Sequence, residues 1–168
     1  MSARIVIVGA GPAGVRAAEA CVAAGLRPVV VDEGERDGGQ IYRRPPPGFR
    51  RPGEALYGSE APKAAALHAT FERIRSAIDY RPRTLAWGVS SGQLHTTREG
   101  RMEVIPFDAL VIAPGAIDRI LPVAGWHLAG TYSLGGAQVA LKSQACAIGR
   151  RVVFAGTGPL LYLAAWQY

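Results

Sequence analysis

The sequence predicts an α/β fold in which a parallel sheet carries an inserted antiparallel hairpin or meander. Three observations lead there. Short β-branched runs stand at residues 4–8 (RIVIV), 28–31 (PVVV) and 109–113 (ALVIA), the pattern of strands buried on both faces. An alanine-rich stretch at residues 13–24 separates the first two and ends at Gly25, as a helix does. Residues 84–106 hold further short runs broken near Ser91-Gly92, a turn signal between paired strands.

The first strand, helix and second strand make a βαβ unit, which implies a parallel pair with a right-handed crossover. Residues 38–58 are expected to be irregular, with Pro45, Pro46 and Pro47 flanked by Arg43, Arg44, Arg50 and Arg51. Folded patterns resume at once, so this stretch reads as an ordered excursion, not a linker. Residues 61–78 predict a helix, because Leu67, Phe71, Ile74 and Ile78 form one apolar stripe at helical spacing. Residues 84–90 and 92–97 predict a hairpin, with a further strand at 102–106. Residues 115–138 read as a long connector. Residues 151–155 (RVVFA) predict a last strand before Gly156-Thr157-Gly158, and residues 160–168 the start of a helix. One βα element cannot bury both its faces. Residues after Gly149 are therefore expected to be poorly anchored, or packed against another copy of the chain.

At 168 residues and 49% hydrophobic, the chain can bury one full core and begin a second. Its formal charge is +6, and lysine occurs only at Lys63 and Lys142. The arginines are scattered, without the interleaved aromatics that a base-stacking surface needs, so no nucleic-acid partner is expected. Cys21 and Cys146 lie far apart, with no CxxC pair and no zinc-spaced cluster. Cys21, among helical alanines, reads as a buried structural thiol, and two isolated cysteines fit a reducing, cytoplasmic setting. The uncharged run at residues 120–141 is long enough for a bilayer. Pro122, four glycines and the polar His127, Thr131, Ser133 and Gln138 make it a loop-rich segment instead, and no membrane span is expected.

The chemistry is carried by Gly9-Ala10-Gly11-Pro12-Ala13-Gly14, a GxGxxG that follows a strand and opens a helix. In such a Rossmann-like unit Gly9 permits the tight turn, Gly11 lets the backbone approach a pyrophosphate, and Gly14 lets the helix pack on the sheet. The pyrophosphate meets the free N–H groups of the helix N-terminus, beside Pro12 and Ala13. Asp32 closes the second strand, where a carboxylate can accept from adenosine ribose hydroxyls; its neighbour Glu33 is the alternative. An acid there favours FAD or NAD over NADP, whose 2′-phosphate it repels. No Ser/His/Asp or paired-carboxylate arrangement stands out, so no catalytic residue is assigned. His68 and His95 read as surface residues, and His127, beside Trp126, as a weaker site candidate. Arg43 and Arg44 suit a carboxylate substrate or a cofactor phosphate as well as a solvated loop.

At this point the sequence resembles the two-dinucleotide-domain flavoproteins of the pyridine nucleotide–disulfide oxidoreductase superfamily. The resemblance rests on residues 9–14 (GAGPAG), 38–40 (GGQ), the strand ending in APG at residues 109–115, and a second GxG at Gly156 and Gly158. It narrows at residues 38–45 (GGQIYRRP), at Gly125-Trp126 and at Gly136-Ala137-Gln138 ahead of Lys142. These are similar to the FAD subunits of opine oxidases, hydroxyproline dehydrogenases and hydrogen cyanide synthase. The resemblance implies a flavin that oxidises a C–N bond of an amino or imino acid and passes electrons to a partner subunit or carrier. It implies that Gly9, Gly11 and Gly14 hold the FAD pyrophosphate, that Asp32 takes the ribose, and that Gly39 and Gln40 lie on the flavin side. It places the Ala86 backbone by the adenine, and Gly115, after Ala113, as a close-packed glycine beside the dinucleotide. At Gly156 and Gly158 the resemblance leaves open NAD(P), another nucleotide, or no nucleotide at all.

Two departures stand against that pattern. Pro114 replaces a threonine, removing an N–H and a hydroxyl. Leu161 stands where a third glycine would close-pack the second motif. The expected division is an FAD-binding segment at 1–118, a connector at 119–149 and the start of a second nucleotide-binding domain at 150–168, a fragment of the whole flavoprotein. The segment that completes such an FAD domain is missing from this stretch, so the chain alone is expected to be inactive. Two other functions share some features: a thioredoxin-reductase-like NAD(P)H-dependent flavoprotein, which also has GGQ but needs a CxxC, and a nucleotide-binding module without redox chemistry.

Overall fold

A computed structural model describes residues 3–168. Residues 3–42 and 62–115 form one compact unit, and residues 43–61 and 116–168 another.

In the first unit, β1 (Ile5–Val8), β2 (Val29–Val31), β3 (Asp79–Arg81) and β7 (Ala109–Ile112) make a four-stranded sheet in the order β3-β2-β1-β7. All three pairings are parallel, with Val6 against Val29 and Leu110. Helix α1 (Pro12–Ala23) is the crossover between β1 and β2, and it buries Gly14, Val15 and Ala18. Helix α3 (Ala61–Ile74) buries Leu67, Phe71 and Ile74, the stripe read from the sequence. It ends four residues before the expected limit, in a 3-10 turn at Arg75–Ala77. The short strand β3 follows. Its three residues carry too little pattern to be seen in isolation, and pairing with β2 defines it.

The inserted piece is a three-stranded antiparallel sheet of β4 (Thr84–Ser90), β5 (Gln93–Arg98) and β6 (Arg101–Pro106) in sequence order. Val6 and Val31 of the parallel sheet meet Leu94 and Ile105 of this meander in one apolar cluster. Insertion and parent sheet therefore share a core.

The second unit corrects three expectations. Residues 38–58 are not irregular throughout, because α2 (Gly53–Tyr57) forms there. The connector is shorter than expected, because α4 (Leu134–Ser143) begins at Ser133, whose side chain accepts from the Gly136 N–H at 3.0 Å and caps the helix. Residues 151–155 form no strand. Val153 is 92% exposed, and a β-branched run without a ladder partner has no backbone bonds to hold it extended.

Residues after Gly149 are nevertheless anchored. Helix α5 (Pro159–Gln167) ends at Gln167, which is 1% exposed. The Gln167 amide donates to the Leu56 carbonyl at 2.6 Å and accepts from Gln138 at 2.8 Å, while Arg51 donates to its carbonyl at 2.5 Å. This one side chain joins α2, α4 and α5, and its polar atoms are satisfied as burial requires. Among the described residues no helix is long and apolar enough to cross a membrane.

Candidate functional site

The glycine turn is built by three glycines with three different reasons to be glycine. Gly9 follows β1 at φ +102°, and a Cβ there would collide with the Ala113 carbonyl at the end of β7. Its N–H donates to the Val31 carbonyl at 2.8 Å, and the Ala113 N–H donates to Val8 at 2.8 Å, so the turn sits across β1, β2 and β7. At Gly14 a Cβ would collide with the Gly9 carbonyl, which is the close approach of helix to turn. Gly11 differs. Its φ is −74°, open to any residue, and a Cβ would make only an ordinary contact of 3.6 Å with the Gly39 Cα. Among the described residues nothing requires glycine at Gly11; the space it keeps clear lies over the N-terminus of α1.

That N-terminus is open to an anion. Gly11 is the N-cap and offers no side-chain bond, Pro12 stands at the first helical position, and the first turn carries no acid. The free N–H groups and the positive end of the helix dipole are thus uncompensated by side chains.

Residues 38–42 close over the same turn. The Gly38 N–H donates to the Ala10 carbonyl at 2.9 Å. Gly39 takes φ +62°, and a Cβ on it would stand 2.8 Å from the Gly11 Cα, so two glycines face each other. His68 holds this loop, its Nε2 lying 2.8 Å from the Tyr42 carbonyl. The expected surface histidine is a half-buried brace.

Asp32 is tied into the turn. Its Oδ2 accepts from the Ala10 N–H at 2.5 Å and its Oδ1 from the Gly34 N–H at 2.7 Å. Each oxygen keeps a further lone pair. Glu33 next to it is exposed. The Thr84 N–H donates to the Asp32 carbonyl at 2.8 Å, which ties the start of β4 to the site. Ala86 follows in β4, half-buried, opposite Thr96 at a register shift.

The structure thus brings together Gly9, Gly11, Gly14, Asp32, Gly39 and Ala113. Gln40 and Glu33 are exposed beside them. Gly115 is not close-packed against protein: a Cβ there meets nothing within 4 Å, and its φ of +77° is what calls for glycine. Sequence reasoning missed the clamp from Asp32 to Ala10 and the brace from His68; both depend on tertiary contacts that no local pattern announces.

Other candidates resolve differently. His95 lies 2.7 Å from the Ser90 hydroxyl and beside the Trp87 ring on the meander. His127 is exposed against Trp126. Cys21 is half-buried, not fully buried as expected, and Cys146 is exposed. In the second unit Gly156 and Gly158 take φ +146° and +107° before Pro159. No strand precedes them, so the second GxG is not assembled as a strand-turn-helix. Lys142 on α4 is buried, and burial, then the Arg43 charge, pushes its pKa down from the usual 10.5 to about 8.

The family described as pyridine nucleotide-disulphide oxidoreductase matches residues 3–160, which include the whole glycine turn and both GxG motifs. The chain belongs to this family. It is 40% identical to an opine oxidase subunit of Rhizobium meliloti over 173 residues, which cover 97% of this chain and 32% of that protein. It is 36% identical to hydrogen cyanide synthase subunit HcnB of Pseudomonas protegens over 172 residues, covering 99% of this chain and 36% of that one. The chain thus spans about a third of the length of these relatives. In fold it is similar to L-proline dehydrogenase from P. horikoshii, with a TM-score of 0.71 at 20% identity over 89% of this chain and 30% of that one. The NAD-dependent persulfide reductase of A. fulgidus gives 0.57 at 21% identity, over 81% of this chain and 26% of that one. The parallel sheet with its antiparallel insertion is the fold these proteins share.

Proposed function

We propose that this chain is the FAD-binding part of an oxidoreductase that oxidises a C–N bond of an amino or imino acid and hands the electrons to a partner subunit or carrier. The observation that carries the cofactor assignment is Gly11. Its two neighbouring glycines are required by protein contacts, whereas Gly11 keeps open a space over an uncapped helix N-terminus. A pyrophosphate suits that space in size and charge. The Ala13 and Gly14 amides would donate to its oxygens, Gly39 would leave room on the opposite side, and the Asp32 carboxylate would accept from the ribose with its remaining lone pairs. Glu33 is the second acceptor within reach of the same strand end. FAD, when bound, supplies the two-electron oxidation; the chain's own residues bind and orient it.

The substrate class is supported by the relatives named as opine oxidase subunits. Those names, and that of hydrogen cyanide synthase subunit HcnB, support a multi-subunit assembly. Under this reading residues 1–168 by themselves do not turn over, because flavin catalysis needs the ring held against substrate with water excluded. The test is anaerobic addition of candidate imino acids and opines, or of NADPH, to the full-length protein while flavin absorbance is followed. Bleaching by an amino or imino acid supports the reading. Bleaching by NADPH alone contradicts it.

A further inference from the structure

Residues 38–42 cover the glycine turn as a small closed unit. The Gly38 carbonyl accepts from the Tyr42 N–H at 3.1 Å, and the Gly38 N–H donates to the Ala10 carbonyl at 2.9 Å. Gly38 and Tyr42 are buried, whereas Gln40 and Ile41 at the crest are exposed. A Cβ on Gly38 would collide with the Tyr42 carbonyl and stand 3.1 Å from the His68 Nε2. The Tyr42 carbonyl is thus tucked beneath Gly38, and His68 reaches it there at 2.8 Å. A carbonyl oxygen only accepts, so Nε2 carries the proton and donates.

His68 is itself held in place. It stands on α3 near Thr70, whose hydroxyl accepts from Arg16 of α1 at 3.3 Å, and Arg73 of α3 pairs with Glu19 of α1 at 2.6 Å. Helix α1 opens at the glycine turn. A frame therefore closes on itself: turn, α1, α3, His68, Tyr42, and back through Gly38 to Ala10. Within it Gly39 faces Gly11 so closely that a Cβ on Gly39 would stand 2.8 Å from the Gly11 Cα. The height of this loop over the N-terminus of α1 is the height of the space that Gly11 keeps clear. Removing the His68 donor costs the Tyr42 carbonyl this partner and lets the loop relax outward.

We propose that His68 is a positioning residue for FAD: through the Tyr42 carbonyl it sets the distance between Gly39 and Gly11, and so the grip on the part of the cofactor beyond its first phosphate. The proposal rests on the reading of the glycine turn as an FAD cradle. With the ribose at Asp32 and the pyrophosphate over α1, the rest of the dinucleotide leaves past Gly39. AMP, which ends at its one phosphate, does not reach that far. His68 touches no cofactor atom and acts on one half of the cofactor only, whereas a histidine that merely supported the fold would affect both halves alike.

The test uses the full-length apoprotein, freed of its cofactor, and two probes, FAD and AMP, titrated by calorimetry. In His68→Leu, FAD should bind at least about 10-fold more weakly, and AMP within about 2-fold of wild type. His68→Gln, whose amide nitrogen can donate from near the same place, should recover most of the FAD affinity. Gly39→Ala pushes the loop away from Gly11 by its Cβ, and should reproduce the FAD-selective loss with His68 intact. Equal losses for FAD and AMP in His68→Leu reduce His68 to a structural residue and overturn the proposal. So does an unchanged FAD affinity, and so does a His68→Gln variant as weak as His68→Leu. If His68→Leu does not fold, a Gly39→Ala variant that binds FAD as wild type does overturns the role of the loop. Wild-type apoprotein that binds AMP and not FAD removes the cofactor reading and the proposal with it, a failure seen before any variant is compared.

Discussion

The Asp32 carboxylate accepts a 2.5 Å hydrogen bond from the Ala10 N–H, so the end of β2 holds the glycine turn in place. With Gly34 on its other oxygen, Asp32 combines two tasks: it fixes the turn and offers remaining lone pairs to a ribose.

Removing one of those tasks separates Asp32 from Glu33. Asp32→Asn keeps one acceptor oxygen and turns the other into a donor facing an N–H. It should cost about 1–3 kcal/mol of stability and weaken FAD binding by at least about 10-fold. Glu33→Gln, at an exposed side chain, should leave stability within about 0.5 kcal/mol and weaken FAD binding less. Urea unfolding and FAD titration of the two variants check this. A larger loss of FAD affinity in Glu33→Gln would move the ribose contact to Glu33 and leave Asp32 as a clamp only.

The three glycines of the turn should separate in the same pair of measurements. Gly9→Ala and Gly14→Ala place a Cβ against the Ala113 and Gly9 carbonyls, so each should destabilise the apoprotein by about 2 kcal/mol or more. Gly11→Ala meets no such obstacle and should leave apoprotein stability within about 1 kcal/mol of wild type. Gly11→Val should abolish FAD binding while far-ultraviolet circular dichroism stays unchanged, because its side chain fills the pyrophosphate space. Full FAD occupancy in Gly11→Val would contradict the cradle.

Lys142 predicts a stability profile in pH. Its pKa falls from 10.5 in the unfolded chain to about 8 in the folded protein. Between those values the unfolded chain binds more protons at this site, so stability rises with pH across the window. Below about pH 8 both states carry the charge and the penalty is complete; above 10.5 both are neutral and it is gone. Lys142→Met lacks the group. Its advantage over wild type should be greatest below pH 8, at most about 3 kcal/mol, and should close by pH 10.5. Chemical denaturation of both proteins at pH 7, 9 and 10 reads this directly, and an advantage that does not change with pH would contradict it.

Much of the first unit was legible because its signals are local. The runs at residues 4–8, 28–31 and 109–113, and the stripe Leu67, Phe71 and Ile74, are periodic enough to fix the element by themselves. Gly9, Gly11 and Gly14 are read from a spacing whose physics lies in one turn. The misses have the opposite character. Strand β3 has three residues and exists because β2 offers it a ladder. Residues 151–155 look like a strand and are not one, because strand propensity needs a partner. Helix α2 lies in a proline-rich stretch and ends at Tyr57, which is held by its bond to the Arg43 carbonyl. The packing of the Lys142 ammonium over the Tyr57 ring, far apart in sequence, could not be read from spacing at all.

The central claim is that the glycine turn holds the adenosine diphosphate half of a flavin. Its most direct test is to purify the full-length protein, release its cofactor with acid and identify it by chromatography and mass. The account predicts FAD, near one per chain in wild type and absent from Gly11→Val. Recovery of FMN, or of FAD at equal occupancy in both proteins, would contradict it.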